Sequence, residues 1–234
     1  MNRKIRINFI HGWGFDSSFW LPLAKELKKI NCFDFFYYNL GFVGKENFDG
    51  KKKKFKKEIF IVHSIGFNWL VKNINKPGLI INFFGSPIFF DDLEKDKVEY
   101  RSYKNMLKDI KINEKKVLEN FYINCGLKKN YNYKKIFDIP RLINFLEKLQ
   151  NDKLVEKTSK LKHKIFSVYS FADKILKNRD FKKYFKNKNH QNFVFLEKDS
   201  HAFPYLEPEK CKSLIIKIIS EQTKEDEKKN KAVI

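Results

Sequence analysis

The pentapeptide Val62-His63-Ser64-Ile65-Gly66 limits what this chain can fold into more than any other stretch. It follows the apolar run Ile59-Phe60-Ile61 and precedes Phe67-Asn68-Trp69-Leu70-Val71, which reads as a helix. A strand, a serine among small residues and then a helix make a nucleophile elbow, a tight turn that pushes the hydroxyl out of the sheet. The turn also aims the next backbone N–H and the helix N-terminus at the same spot. Ser64 is therefore a candidate nucleophile. The plainer alternative is a strand-end serine that caps the next helix, and the pentapeptide alone does not separate the two. Gly66 suits the turn, whereas Val62 stands where the usual Gly-x-Ser-x-Gly pattern has its first glycine.

Three further segments favour the nucleophile. His11-Gly12-Trp13-Gly14 closes the apolar run Ile7-Asn8-Phe9-Ile10. A glycine-flanked turn after a strand can point a backbone N–H inward, and acyl transfer needs donors aimed at the developing oxyanion; losing one typically costs ~10²–10³ in rate. We assign the backbone N–H groups of Trp13 and Ile65 to that hole. Asp173 follows the run Ile165-Phe166-Ser167-Val168, where an acid can hold an imidazole in the correct tautomer. Asp91 and Asp92, after the strand expected at 79–84, are alternatives for that role. His201, one of five histidines, follows Phe193-Val194-Phe195-Leu196 and precedes an amphipathic stretch near 208–220. Serine, acid and histidine thus occur in the chain order of the α/β-hydrolase triad.

On these residues the chain resembles the α/β-hydrolases of the capped, single-domain kind. It is most similar to the pimeloyl-(acyl-carrier protein) methyl ester carboxylesterases of biotin synthesis. The matching residues are His11 to Phe15, Val62 to Gly66, Gly85-Ser86-Pro87, Tyr169 to Asp173, and His201-Ala202-Phe203-Pro204 with Pro208-Glu209 beyond. A weaker similarity runs from Leu107-Lys108-Asp109 through Leu118-Glu119-Asn120-Phe121, which resembles that enzyme's lid. The family usually has two strands before the oxyanion strand, and a full helix where this chain has only Val43 to Lys57. A second small-ester hydrolase family of biotin synthesis is similarly compact. The resemblance implies a serine carboxylesterase with Ser64, His201 and Asp173 as its triad. Trp13 and Phe121 are then candidate substrate contacts, and the acyl ester is carried by an acyl-carrier protein.

Length fits one core with an insertion: 234 residues can bury most of their apolar surface in a single domain. Strands are expected near 4–10, 33–38, 58–63, 79–84, 164–169 and 192–197, with helices near 17–29, 66–74 and 207–220. The alternation predicts an α/β fold: a mostly parallel central sheet covered by helices, with a shortened N-terminus. Residues 1–87 and 161–222 form the expected hydrolase core. Residues 88–160 break the alternation and show helical spacing at Met106, Leu107 and Ile110, at Val117, Leu118 and Phe121, and at Leu142, Phe145, Leu146 and Leu149. They read as a helical cap whose apolar face either packs on the sheet or lines an acyl channel. Residues 223–234 read as a charged, disordered tail.

The formal net charge is +21, almost all from lysine. Compositional drift toward Lys, Asn, Ile and Phe accounts for it as readily as a binding partner does. The functional version is local. Residues 101–135 hold ten Lys/Arg against Asp109, Glu114 and Glu119, so Lys115, Lys116, Lys128, Lys129, Lys134 and Lys135 are candidates for docking an acidic acyl-carrier protein. The tetralysine Lys51-Lys52-Lys53-Lys54 reads as a solvated loop first and an anion site second.

Cys32, Cys125 and Cys211 fit neither a disulfide framework nor a zinc pattern, and a reducing cytoplasm suits them. No run of eighteen apolar residues and no signal-peptide pattern occurs, and a monomer is expected. Neither a dinucleotide nor a Walker fingerprint occurs, and no metal or cofactor is expected. Two rival readings stay open. One is a general short-chain esterase, or a thioester or C–C hydrolase of the same fold. The other is a non-catalytic basic binding protein, although no nucleic-acid recognition motif accompanies the lysines.

Overall fold

In the computed structural model, residues 5–48, 55, 57–90, 98–132, 134–161, 165–176 and 192–231 are described. Lys51 to Lys54, Asp91 and Asp92 lie outside them. Six strands form one all-parallel sheet: β1 (Ile5–Ile10), β2 (Phe33–Tyr38), β3 (Glu58–His63), β4 (Leu79–Phe83), β5 (Ile165–Ser170) and β6 (Phe193–Leu196). Their spatial order is β2-β1-β3-β4-β5-β6. The inner strands read as unbroken apolar runs because a parallel sheet is covered on both faces. Ile59, Phe60, Ile61 and Val62 of β3 are all buried, and every residue of β4 is. The outermost strands, β2 and β6, are mostly half-buried.

The chain leaves β1 toward β2 on one side and returns to β3 on the other. The crevice between the carboxyl ends of β1 and β3 is thus a topological switch point, where open α/β sheets bind ligands. Both glycine-bearing motifs end there: His11-Gly12-Trp13-Gly14 follows β1, and Ser64 follows β3.

A single helix expected over 17–29 is divided into a 3₁₀ turn, Ser17–Trp20, and α1, Leu21–Lys28. Pro22 explains the restart, since proline fits only the first turn of an α-helix. Helix α2 (Ile65–Asn73) follows the serine. Among the described residues, four helices lie between β4 and β5: α3 (Val98–Asp109), α4 (Glu114–Asn124), α5 (Ile139–Leu149) and α6 (Val155–Ser159). Asn113 caps α4 by accepting from the Lys116 amide at 3.0 Å, and Asp138 caps α5 by accepting from the Arg141 amide at 2.9 Å. The apolar stripes of this insertion turn inward, with Val117, Leu118, Leu142, Leu146 and Leu149 buried.

After β6 the chain makes a short helix, α7 (Phe203–Leu206), that the sequence pattern did not single out, and then α8 (Pro208–Lys231). The expected disordered tail from Thr223 is corrected here: α8 continues to Lys231. Lys224 to Lys231 is rich in Glu and Lys, which have high helix propensity, so a long anchored helix extends readily through it. Among the described residues no helix is long and apolar enough to cross a membrane.

Candidate active site

Ser64 sits between β3 and α2 with φ 53° and ψ −125°, a left-handed backbone that a serine rarely adopts. The surroundings hold it there. Its amide donates to the Phe83 carbonyl at 2.8 Å, and its carbonyl accepts from the Phe67 amide at 3.0 Å. Gly66 lets α2 cross directly over the end of β1, since a Cβ at this position would lie 2.7 Å from the His11 carbonyl oxygen. Val62 does not prevent the turn: it is buried in register between Ile10 of β1 and Asn82 of β4. Strain of this kind at a strand–helix junction is the structural signature of a nucleophile elbow.

The acid and the imidazole meet. His201 Nδ1–H donates to Asp173 Oδ2 at 2.7 Å, and both side chains are essentially without solvent exposure. Asp173 Oδ1 accepts from the amides of Ile175 at 2.7 Å and Leu176 at 3.1 Å. These three contacts fix the direction of the carboxylate. With Nδ1 committed to the acid, Nε2 carries the lone pair that a general base needs. Nε2 is buried and has no hydrogen-bond partner, so no hydrogen bond links it to the Ser64 hydroxyl in this structure. Such bonds are commonly long or misaligned before substrate binds.

On the opposite side, the loop after β1 is held by its own histidine. His11 Nδ1–H donates to the Gly12 carbonyl at 2.9 Å, and His11 Nε2 accepts from the Leu40 amide at 3.0 Å. This neutral tautomer agrees with burial, which pulls the His11 pKa below its ordinary value. Trp13, which follows, makes no backbone hydrogen bond among the described residues. Ile65 is the first residue of α2, whose N–H has no intrahelical partner. Both amides are thus available as the assigned oxyanion donors.

The insertion clamps this loop. Trp13 Nε1–H donates to the Leu142 carbonyl of α5 at 2.9 Å, and Tyr122 Oη–H of α4 donates to the Gly14 carbonyl at 2.6 Å. Phe121 meets the Trp13 ring edge-on, with centroids 4.9 Å apart. The far end of α4 holds the histidine loop, where the Ala202 amide donates to the Cys125 carbonyl at 3.0 Å. Burial, and then the nearby Asp173 charge, push the Cys125 thiol well above its ordinary pKa, so it stays neutral.

A cavity of about 450 Å³ opens from Ser64 between the sheet and the insertion. Trp13, Ile65 and Phe121 line it. Met106, Val117 and Leu149 give it an apolar wall. Among the basic candidates, Lys115, Lys116, Lys128, Lys129 and Lys134 are exposed. Lys135 is engaged inward instead, pairing with Asp16 at 2.7 Å and donating to Ser18 at 2.8 Å, and Lys129 lies 3.5 Å from Glu119. Among the described residues, no group of three or more His, Cys, Asp or Glu side chains could hold a metal ion.

Sequence reading missed His63. Its ring donates from Nε2–H to the His201 carbonyl at 2.9 Å. The available signal was a histidine inside an otherwise apolar, doubly covered strand.

A strained serine elbow at the switch point, and a buried Asp–His pair on neighbouring loops, belong to the α/β-hydrolase fold, and this chain has that fold. Solved structures bear this out. An esterase from Exiguobacterium antarcticum superposes with a TM-score of 0.75 at 12% identity, covering 94% of this chain and 93% of the other. A hydrolase from Oleispira antarctica gives a TM-score of 0.68 at 14% identity, covering 94% and 92%. BioG from Haemophilus influenzae gives 0.58 at 17% identity, covering 86% and 90%. No protein-family model and no curated protein matches the sequence.

Proposed function

We propose that the chain is a serine carboxylesterase. The observation that carries this reading is the buried 2.7 Å bond between His201 Nδ1 and Asp173 Oδ2, beside a serine held at positive φ. In the mechanism, the Ser64 hydroxyl attacks an ester carbonyl while His201 Nε2 takes its proton. The carbonyl oxygen becomes an oxyanion facing the Trp13 and Ile65 amides. Asp173 stabilises the imidazolium, which then protonates the departing alcohol. Water resolves the acyl-enzyme by the reverse path, with His201 again as base.

The substrate within this class is the methyl ester of a pimeloyl group on an acyl-carrier protein. The resemblance of the motifs supports it, and BioG from Haemophilus influenzae shares the fold. The exposed Lys115, Lys116 and Lys128 add a basic rim that suits an acidic carrier. One observation favours a second reading, a general short-chain esterase. Lys135 is committed to Asp16 and Lys129 lies beside Glu119, so the rim is less basic than its composition suggests.

Complementation of a biotin-auxotrophic strain lacking its methyl esterase tests the proposal, with wild type and Ser64→Ala side by side. Growth with wild type alone supports it. Growth with both variants removes Ser64 as nucleophile. Growth with neither, together with rapid turnover of free nitrophenyl esters, selects the general esterase.

A further inference from the structure

His63, the last residue of β3, touches the nucleophile turn, the histidine loop and the loop that carries the Trp13 amide. It directly precedes Ser64. Its Nε2–H donates to the backbone carbonyl of His201 at 2.9 Å, and the two imidazole rings stand 4.7 Å apart. On its other side, a Cβ at Gly12 would lie 2.6 Å from His63 Nδ1, so the loop carrying the Trp13 amide runs directly against the ring. Phe19 stacks on the ring at 4.6 Å, and Phe15 and Phe84 meet it edge-on at 5.5 and 6.2 Å. The ring is wholly buried in this aromatic box.

We infer that His63 is a positioning residue: its bond to the His201 carbonyl sets the histidine loop against Ser64, and its ring is the surface on which the Gly12 turn rests. The inference rests on the serine-esterase reading. Donation from Nε2 fixes one tautomer and leaves the lone pair on Nδ1, which is buried and has no hydrogen-bond partner. The titratable groups around the ring are His201, on the loop after β6, and His11, at the end of β1. Neither is a carboxylate that would favour a cationic His63, and Asp173 is bound to the far nitrogen of His201. Burial, and then His201, hold the His63 pKa well below its ordinary value. A neutral ring matters to the chemistry. His201 gains a proton as Ser64 attacks, and a second positive charge beside it would oppose that gain.

The test uses the full chain and a nitrophenyl acyl ester. His63→Phe keeps the aromatic bulk and removes the donor. His63→Gln restores an N–H near the position of Nε2. His63→Phe is expected to lower kcat about ten- to a hundredfold, with KM changed by less than about twofold. His63→Gln is expected to recover most of the loss. A folded His63→Phe variant with wild-type kcat overturns the inference, and so does a His63→Gln variant as slow as His63→Phe. If His63→Phe does not fold, His63→Asn replaces it, because the shorter amide cannot reach the carbonyl. Asn turning over as fast as Gln overturns the inference as well. A fluorophosphonate probe on wild type separates the two levels of the argument. An inert, unlabelled wild type overturns the esterase reading and the role of His63 with it. A labelled, active wild type beside an indifferent His63→Phe overturns the role of His63 alone.

Discussion

Tyr122 Oη donates to the carbonyl of Gly14 at 2.6 Å, across 108 positions of sequence, and so fastens α4 of the insertion to the loop after β1. The Tyr122 ring is buried between Phe15, Phe121 and Tyr131. Burial raises its hydroxyl pKa far above the ordinary tyrosine value, so it remains a donor at any working pH. Tyr122→Phe preserves the ring and leaves the carbonyl unpartnered. The expected cost is about 1–3 kcal/mol of stability and a fall in kcat of several-fold, read by denaturant titration and ester turnover. Unchanged stability and rate would show that the loop holds itself.

Asp173→Asn retains the shape of the acid and the acceptor for the Ile175 and Leu176 amides, but it no longer favours Nδ1–H on His201. By analogy with serine proteases, kcat should drop about 10³–10⁴-fold with KM little changed. Steady-state kinetics on a nitrophenyl ester check this, and a drop below about tenfold would point to another acid.

Stability should decline on mild acidification. Burial holds the buried imidazoles of His11 and His63 below the ordinary value of 6.5. Below pH 6.5 the unfolded chain therefore binds more protons than the folded one, and stability rises with pH through that window. Above it both states are neutral at these sites and the contribution is flat. Asp16 acts elsewhere. Burial works to raise its pKa, but hydrogen bonds from Lys135 and Ser18 outweigh that and hold it below 3.8. Its stabilisation is fully present above 3.8 and is lost only as pH falls through the lower, folded value. Thermal midpoints between pH 8 and pH 5 should stay level and then fall from about 6.5, with a shallower fall in His63→Gln. A level curve down to pH 5 would contradict the neutral imidazoles.

Gly66→Ala places a methyl 2.7 Å from the His11 carbonyl oxygen and 2.8 Å from that of Ile10, both rigid backbone atoms. α2 must then lift from β1. A loss of about 1–3 kcal/mol is expected, with a larger loss of turnover than of fold because the Ile65 amide moves with the helix. Denaturation midpoints and kcat measured together check both halves.

The sheet was legible because parallel strands buried on both faces are written as short apolar runs, and all six came out within a residue or two of their expected ends. The placement of Ser64, Asp173 and His201 after strand ends was legible for a related reason. Each follows a strand, and strand ends of one parallel sheet share a rim. The roles of Tyr122, Cys125 and Lys135 were not legible. Their partners, Gly14, Ala202 and Asp16, lie far away in sequence, and a single chain carries no local sign of such pairings. The helix at 223–231 was hidden for the opposite reason. A charged composition fits a disordered segment and a helix alike.

Trp13 gives the molecule an optical reporter at its centre. The indole is pinned by Leu142, faces Phe121 and lines the cavity, while its own backbone amide is an assigned oxyanion donor. The other tryptophans, Trp20 and Trp69, do not line that cavity. An acyl chain entering the cavity must change the polarity around this one fluorophore, so binding can be followed by emission without label or turnover, even in a variant stripped of its nucleophile.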